Sequence, residues 1–229
     1  MNSMNPLSSH LRDSRIPQYC ISHFINEEHS NKHSRLPHIH DDFLELFFVY
    51  SGKGRYMVDS QSYDIQEGDI ISLDAGLIYE GYHSDAARTY GVGEISKEAQ
   101  KLIDVTRESF FEGIKYAKAG HHLHEISAAI GAYAEKFGYG VVRDLVGHGI
   151  GTSLHEDPQI PNFAQRRRGI RLQPGMTLAI EPMINMGRAD VCWLDDDWTV
   201  VTEDGMLSAH YENTVLITEG EPELLTLTK

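Results

Sequence analysis

The sequence predicts an α+β fold, and three observations support this class. Short alternating apolar segments with tight turns fill residues 41–73, a pattern typical of strands in a β-meander. Two stretches with apolar residues at three- and four-residue steps follow, and they predict amphipathic helices. After Gly138 the pattern returns to short strands and loops rich in Gly and Pro. A chain of 229 residues is long enough for one large domain or two small ones.

The β-rich segment divides into short strands separated by turn residues. The predicted strands are residues 44–50, 55–58, 63–65 and 70–73, and a further hairpin is expected across Asp74–Tyr90.

Each predicted helix has its own boundary signals. Ser96 can cap the first helix, whose apolar stripe continues to Ala117 before Gly120 stops it. The second stripe begins at Leu123 and ends at Gly138.

Composition excludes several classes of function. The net charge of −14, from 34 acidic and 20 basic residues, argues against nucleic acid or a membrane surface as the main partner. The sequence has no apolar run of the ~20 residues that a membrane helix needs, and its first residues lack the apolar core of a signal peptide. Two cysteines, Cys20 and Cys192, cannot form a disulfide framework, so a cytoplasmic location is expected. The 13 histidines raise the question of a metal site.

Asp74 and Asp85 are expected to share one face of the predicted hairpin. A turn at Tyr79-Glu80 would place them directly opposite each other, and a turn at Glu80-Gly81 would make them diagonal neighbours. Two carboxylates on one face repel unless a cation lies between them. The alternative interpretation is that Asp85 caps a turn and Asp74 ends a strand.

Four further residues favour the metal interpretation. His148 is flanked by glycines that permit close approach, and His155 follows seven residues later. Glu181 ends an apolar strand, and Glu212 lies in another apolar strand, where a carboxylate is rarely tolerated without a partner. Carboxylates and imidazole spread over several strands suit a pair of divalent cations.

Residues 69–229 resemble the type I methionine aminopeptidases, metallopeptidases of the pita-bread fold. The resemblance rests on the segments GDIISLD at 68–74, YHSD at 82–85, VGHGIG at 146–151, HEDPQ at 155–159, IEPM at 180–183 and YENT at 211–214. It implies five metal ligands: Asp74, Asp85, His148, Glu181 and Glu212. Asp85 and Glu212 would bridge two divalent ions (Co, Mn, Fe, Zn or Ni), Asp74 would bind one, and His148 and Glu181 would bind the other.

The resemblance also implies an activity. In this family a water bridging the two metals attacks the carbonyl that follows the N-terminal methionine of a peptide or nascent protein. Glu181 would relay a proton, and His155 would contact the substrate near the scissile bond. Trp198 matches a wall of the methionine pocket, with plain core packing as the alternative. The segments around Trp198 and Glu181 favour this family over the related prolidases.

Residues 1–68 resemble half of a cupin, the sensor module of arabinose-type regulators. His38, His40, Glu45 and Gly52 fit the motif HxH-x4-E-x6-G, although its leading glycine is Lys32 here. The second cupin motif is missing. These three ligand-type residues could bind a second metal or a small molecule, and the alternative is that they line the barrel or face solvent.

The two resemblances predict a chimera with a seam at Gly68-Asp69-Ile70. The pita-bread fold would lack its N-terminal part, including one active-site histidine, so turnover is expected to be impaired. The sheet edge at Ile70–Leu77 would then be covered by the cupin-like hairpins or by a second copy of the chain. Two alternatives to the enzyme remain: a non-catalytic sensing module that carries an inactive peptidase remnant, and a recombination product without a selected function.

Overall fold

A computed structural model describes residues 24–25, 48–49, 53–58, 61–195 and 199–227. The chain forms two compact units. The first contains Met1–Asp69 and Val92–Glu94, and the second contains Ile70–Gly91 and Ile95–Lys229.

The described strands of the first unit form two pairs. These are β1 (Phe24–Ile25), parallel to β2 (Phe48–Val49), and β3 (Lys53–Val58), antiparallel to β4 (Gln61–Gln66). The strands predicted at residues 55–58 and 63–65 are thereby confirmed. The turn predicted after β4 is also present, because the Asp69 carboxylate accepts a hydrogen bond from the Gln66 N–H at 2.9 Å. The cupin-type residues His38, His40 and Glu45 lie outside the described residues.

One long hairpin, β5 (Ile70–Tyr79) and β6 (Tyr82–Gly91), opens the second unit. The predicted strand at residues 70–73 is present, and it is continuous with the first strand of the predicted hairpin, because pairing with β6 runs unbroken through Asp74. The turn is Glu80-Gly81, with φ of 49° and 84°, the positive values that a tight two-residue hairpin turn needs. Asp74 pairs with Ala87 and Gly76 with Asp85, so the two aspartates are diagonal neighbours on one face. Within the described residues β5 is hydrogen-bonded to β6 alone.

Two helices follow the hairpin, α1 (Lys97–Ile114) and α2 (Leu123–Glu135). Ser96 caps α1 as predicted, since its Oγ accepts a hydrogen bond from the Ala99 N–H at 3.0 Å. Both helices end slightly earlier than their apolar stripes indicated. After α1, the N–H groups of Tyr116 and Ala117 bond three residues back rather than four, which tightens the last turn. No helix in the described part of the chain is long and apolar enough to cross a membrane.

The remaining strands form three small sheets. They are β7 (Gly140–Val141), β8 (Gly147–Gly149), β9 (Glu156–Ile160), β10 (Thr177–Ile180), β11 (Met183–Asn185), β12 (Val191–Trp193), β13 (Val200–Thr202), β14 (Ser208–His210), β15 (Asn213–Leu216) and β16 (Glu223–Leu224). Their orders are β16-β15-β10-β8-β9, β14-β11-β7 and β12-β13.

The apolar faces of both helices pack against the first two of these sheets. One cluster joins Phe110 and Ile126 of the helices to Leu178 and Val215 of the five-stranded sheet. A second cluster includes Leu102 of α1 and Ile184 of β11. Burial of this apolar area fixes the strands on which the candidate ligands lie.

Candidate metal centre

Two antiparallel chain segments bring Glu181 and Glu212 face to face. Strand β10 pairs with β15, and β11 pairs with β14, in the same register. The two strand pairs are separated at Glu181-Pro182 on one segment and at Tyr211-Glu212 on the other. The Tyr211 N–H donates to the Pro182 carbonyl at 3.2 Å across this gap. Both glutamates therefore lie where one sheet passes into the next.

The β5–β6 hairpin is fastened beside this gap by backbone and side-chain hydrogen bonds. The Asp85 N–H donates to the Thr214 hydroxyl at 2.9 Å, and the same hydroxyl donates to the Asp85 carbonyl at 3.0 Å. The Glu212 N–H donates to the Ala87 carbonyl at 2.9 Å. These contacts place the carboxylates of the hairpin next to Glu212.

Arg88 is a further anchor, which sequence reasoning missed. Its guanidinium donates to the Glu212 and Ala87 carbonyls and to Asn213 Oδ1, and it lies 4.2 Å from the centre of the Tyr211 ring. A planar guanidinium with several donors can hold this chain turn rigidly. Arg88 thus fixes the backbone that carries Glu212.

His148 enters the cluster from β8, where it pairs with Ala179 of β10. Its Nδ1 lies 2.8 Å from the Gly149 carbonyl. Since a carbonyl only accepts, Nδ1 carries the proton, and Nε2 is left with a free lone pair. That Nε2 lies 3.5 Å from Glu181 Oε1, so the lone pair is directed into the cluster.

Replacing Gly149 with Ala is expected to destabilise the protein by about 1–3 kcal/mol. The added Cβ would collide with the backbone carbonyl of Asp157 on β9, which cannot move as a flexible side chain can. Thermal and urea unfolding measure the effect. Gly220→Ala is the control, since its nearest neighbour would be 4.0 Å away, and equal stability of both variants would contradict the prediction.

The structure brings all five predicted ligands into one cluster. Ligand atoms of Asp85, His148 and Glu212 lie within 4.8 Å of one another, and so do those of Asp74, His210 and Glu212. Glu212 belongs to both groups, and Glu181 contacts His148. The side chain of Asp74 is half exposed, whereas Glu212 is 1% exposed.

The electrostatics of the cluster are unfavourable without a cation. Burial, with the charges of Glu181, Asp85 and Asp74 as smaller contributions, raises the pKa of Glu212 to about 10. Burial, with the charge of Asp85 as a smaller contribution, also raises the pKa of Asp74, while His210 lowers it. The folded chain thus holds several carboxylates closer than their mutual repulsion favours.

These residues fit a pair of divalent cations. Glu212 Oε2 is buried and has no hydrogen-bond partner, which is costly for a carboxylate unless it binds a cation. Oxygen ligands with one or more imidazoles suit Mn, Fe, Co, Ni and Zn. The orphaned oxygen and the free lone pair of His148 are directed into the same space as the other carboxylates.

His155 lies at the rim of the cluster and is exposed. Its ring packs edge-on against His148, with ring centres 4.4 Å apart. The loop before β9 is held by Glu156, whose carboxylate accepts hydrogen bonds from the Ser153 N–H and the Thr152 hydroxyl. Trp198, the predicted wall of the methionine pocket, lies outside the described residues.

His210 is a further residue of the cluster, which the sequence analysis did not single out. It precedes Glu212 by two residues on an extended segment, so both side chains lie on the same face. Its Nε2 lies 3.5 Å from Glu181 Oε2, and its Nδ1 lies 4.0 Å from Asp74 Oδ2. The period-two spacing from Glu212 was the signal that could have placed His210 in the cluster.

Comparison with known proteins agrees with this geometry. The sequence profile of metallopeptidase family M24 matches residues 28–219. The chain belongs to family M24. A methionine aminopeptidase of Clostridium perfringens is 59% identical over 168 residues, which are 73% of this chain and 68% of that protein. Methionine aminopeptidase 1 of Bacillus subtilis is 52% identical over 162 residues, 71% of this chain and 65% of that protein.

Superposition on a solved structure supports the same family assignment at the level of the fold. The methionine aminopeptidase of Thermotoga maritima is 48% identical and superposes with a TM-score of 0.69 over 71% of this chain and 66% of the other. The predicted pita-bread fold and the resemblance to type I methionine aminopeptidases are confirmed. This chain spans about two thirds of the length of the curated relatives that it matches.

The cupin-like interpretation of residues 1–68 stays a prediction. The M24 match begins at residue 28, inside that segment, and most of the segment lies outside the described residues.

Proposed function

We propose that this chain is a metal-dependent aminopeptidase that removes N-terminal methionine from peptides and nascent proteins. The observation that carries the proposal is the convergence of Asp74, Asp85, His148, Glu181 and Glu212 around a buried, unpartnered carboxylate oxygen. The similarity to methionine aminopeptidases supports the substrate class.

The cluster divides into two cation positions that share Glu212. His148 and Glu181 would hold one cation and Asp74 the other, and Asp85 would bridge them together with Glu212. Divalent cations bound there would activate a water as the nucleophile and stabilise negative charge on the scissile carbonyl oxygen.

We assign proton transfer to Glu181. Its two carboxylate oxygens face different imidazoles, Oε1 towards His148 and Oε2 towards His210, each at 3.5 Å. A carboxylate held between two imidazoles can accept a proton from the attacking water and return it to the leaving amine.

We assign substrate binding to His155. Its ring packs against His148 at the exposed rim of the cluster, where an imidazole N–H could donate to a peptide carbonyl. We assign Trp198 to the wall of the methionine pocket, as the resemblance implies.

The function is tested with the full chain and a Met-Ala-Ser peptide. The chelated protein is expected to release no methionine, and two equivalents of Co²⁺, Mn²⁺ or Fe²⁺ are expected to restore release. A Leu-Ala-Ser peptide is the specificity control. Protein that binds the metal and remains folded but releases no methionine would overturn the proposal.

We also propose the division into residues 1–68, a cupin-like segment, and residues 69–229, the peptidase domain. His38, His40 and Glu45 would form a separate ligand site in the first segment. Metal stoichiometry tests this site: a His38→Gln, His40→Gln double variant should lose one bound cation and keep the peptidase pair. Unchanged stoichiometry would count against it.

A further inference from the structure

His210 occupies a fixed position beside the two cation positions. The Thr89 hydroxyl accepts a hydrogen bond from the His210 N–H at 2.8 Å and donates to the His210 carbonyl at 2.9 Å. Ser72 bonds the same hydroxyl at 2.8 Å, which ties it to the neighbouring strand of the hairpin. A backbone held at both polar groups fixes the direction in which the side chain of His210 leaves the strand.

The ring of His210 has acidic neighbours but no hydrogen bond through Nε2. This nitrogen is buried and unpartnered, although Glu181 Oε2 is only 3.5 Å away. Buried ring nitrogens normally have a partner. Nε2 of His210 and Oε2 of Glu212 are thus both buried atoms of this cluster without a hydrogen-bond partner.

The distances match ligand spacing better than hydrogen-bond spacing. Hydrogen bonds between nitrogen and oxygen span about 2.7–3.2 Å. Ligands bound about 2.1 Å from one ion are separated by roughly 3.0–4.2 Å, depending on the angle between them. His210 Nδ1 lies 4.0 Å from Asp74 Oδ2, and Nε2 lies 3.5 Å from Glu181 Oε2, so each ring nitrogen lies at ligand spacing from one carboxylate.

With His210 included, the two groups of ligand atoms contain the same kinds of ligand. One group of mutually close ligand atoms contains Asp85, His148 and Glu212, and the other contains Asp74, His210 and Glu212. Each group has one imidazole and two carboxylates, with Glu212 in common. Without His210, the position at Asp74 would have oxygen ligands alone.

We propose that His210 is a metal ligand, and that a ring nitrogen binds the cation held by Asp74 and Glu212. The inference rests on the proposed dinuclear site and adds a sixth protein ligand to it. An imidazole ligand would shift the metal preference of this position away from Mn²⁺ and towards Co²⁺, Ni²⁺ and Zn²⁺. The chain thus carries one nitrogen ligand for each cation.

The experiment compares the full chain with its His210→Gln variant. Chelated protein is titrated with Co²⁺ by calorimetry, and X-ray absorption of the loaded protein counts imidazoles per Co²⁺. Loaded with only two equivalents of Co²⁺, the wild-type chain should hold both at the peptidase cluster, whose ligand set is larger than that of residues 1–68, with an average of about one imidazole each. His210→Gln should halve that average and weaken one binding step at least ~10-fold. The substitution His210→Gln should weaken the binding of Mn²⁺ less than the binding of Co²⁺.

His83→Gln is the matched control, because His83 lies on β6 near Glu156 and belongs to neither ligand group. It should retain the wild-type imidazole count and both affinities. His210→Gln with an unchanged imidazole count would overturn the inference and leave the proposed function intact. A wild-type chain that binds no divalent cation would overturn both.

Discussion

Glu212→Gln is expected to abolish methionine release, with a loss of at least ~10³-fold, because Glu212 is common to both cation positions. An amide carries no charge and cannot bridge two cations as a carboxylate does. Methionine release and Co²⁺ stoichiometry measure the loss. Glu223→Gln, at an exposed glutamate of β16, is the control and should retain both.

The same substitution should stabilise the metal-free protein at alkaline pH. In the unfolded chain Glu212 loses its proton near its ordinary pKa of 4.5, whereas the folded chain keeps the proton up to about 10. Between these values the unfolded state binds fewer protons, so the free energy of unfolding falls as pH rises. Gln removes this penalty, which amounts to about 1–4 kcal/mol at pH 8.

Thermal unfolding of both chelated proteins between pH 5 and 9 tests the sign. The difference in Tm between Glu212→Gln and wild type should grow with pH and disappear when wild type is loaded with metal. A variant that is less stable than chelated wild type at pH 8 would show that Glu212 is satisfied without a cation.

His155→Ala is expected to reduce kcat roughly 10²–10³-fold while both cations remain bound. His155 contacts His148 only through its ring edge and belongs to neither group of ligand atoms. Loss of its N–H removes a donor to the substrate carbonyl without removing a ligand. Steady-state kinetics and Co²⁺ titration on one preparation separate the two effects.

His124→Ala controls for the loss of an imidazole elsewhere. Its ring bonds the Arg168 carbonyl at 3.0 Å, at the start of α2. It should have wild-type kinetics. If His155→Ala loses metal in proportion to activity, His155 supports His148 rather than the substrate.

The predicted seam at residues 68–70 bears on both experiments. Impaired turnover is expected because the resemblance implies that the N-terminal part of the pita-bread fold is missing. The M24 match, however, includes residues 28–68 of this chain. Activity of the wild-type chain, measured per bound metal pair, is therefore the reference for both variants.

Local signals in the sequence determined much of this fold. Ser96 before an apolar stripe was enough to predict the start of α1, because capping depends on neighbours in the chain. The common face of Asp74 and Asp85 was also predictable, since side chains alternate along paired strands whichever turn joins them. Motifs such as Gly-His-Gly and the strand-ending Glu181 indicated candidate ligands before any geometry was known.

Only the tertiary structure decided how these parts meet. Both candidate turns of the hairpin were compatible with the sequence, and positive φ at Glu80-Gly81 selected the diagonal register of Asp74 and Asp85. The spacing of His210 from Glu212 puts both side chains on one face, but nothing near His210 in sequence shows that Asp74 and Glu181 lie against its ring. Contacts between strands more than 100 residues apart in the chain created the cluster, and burial within it produced the raised pKa of Glu212.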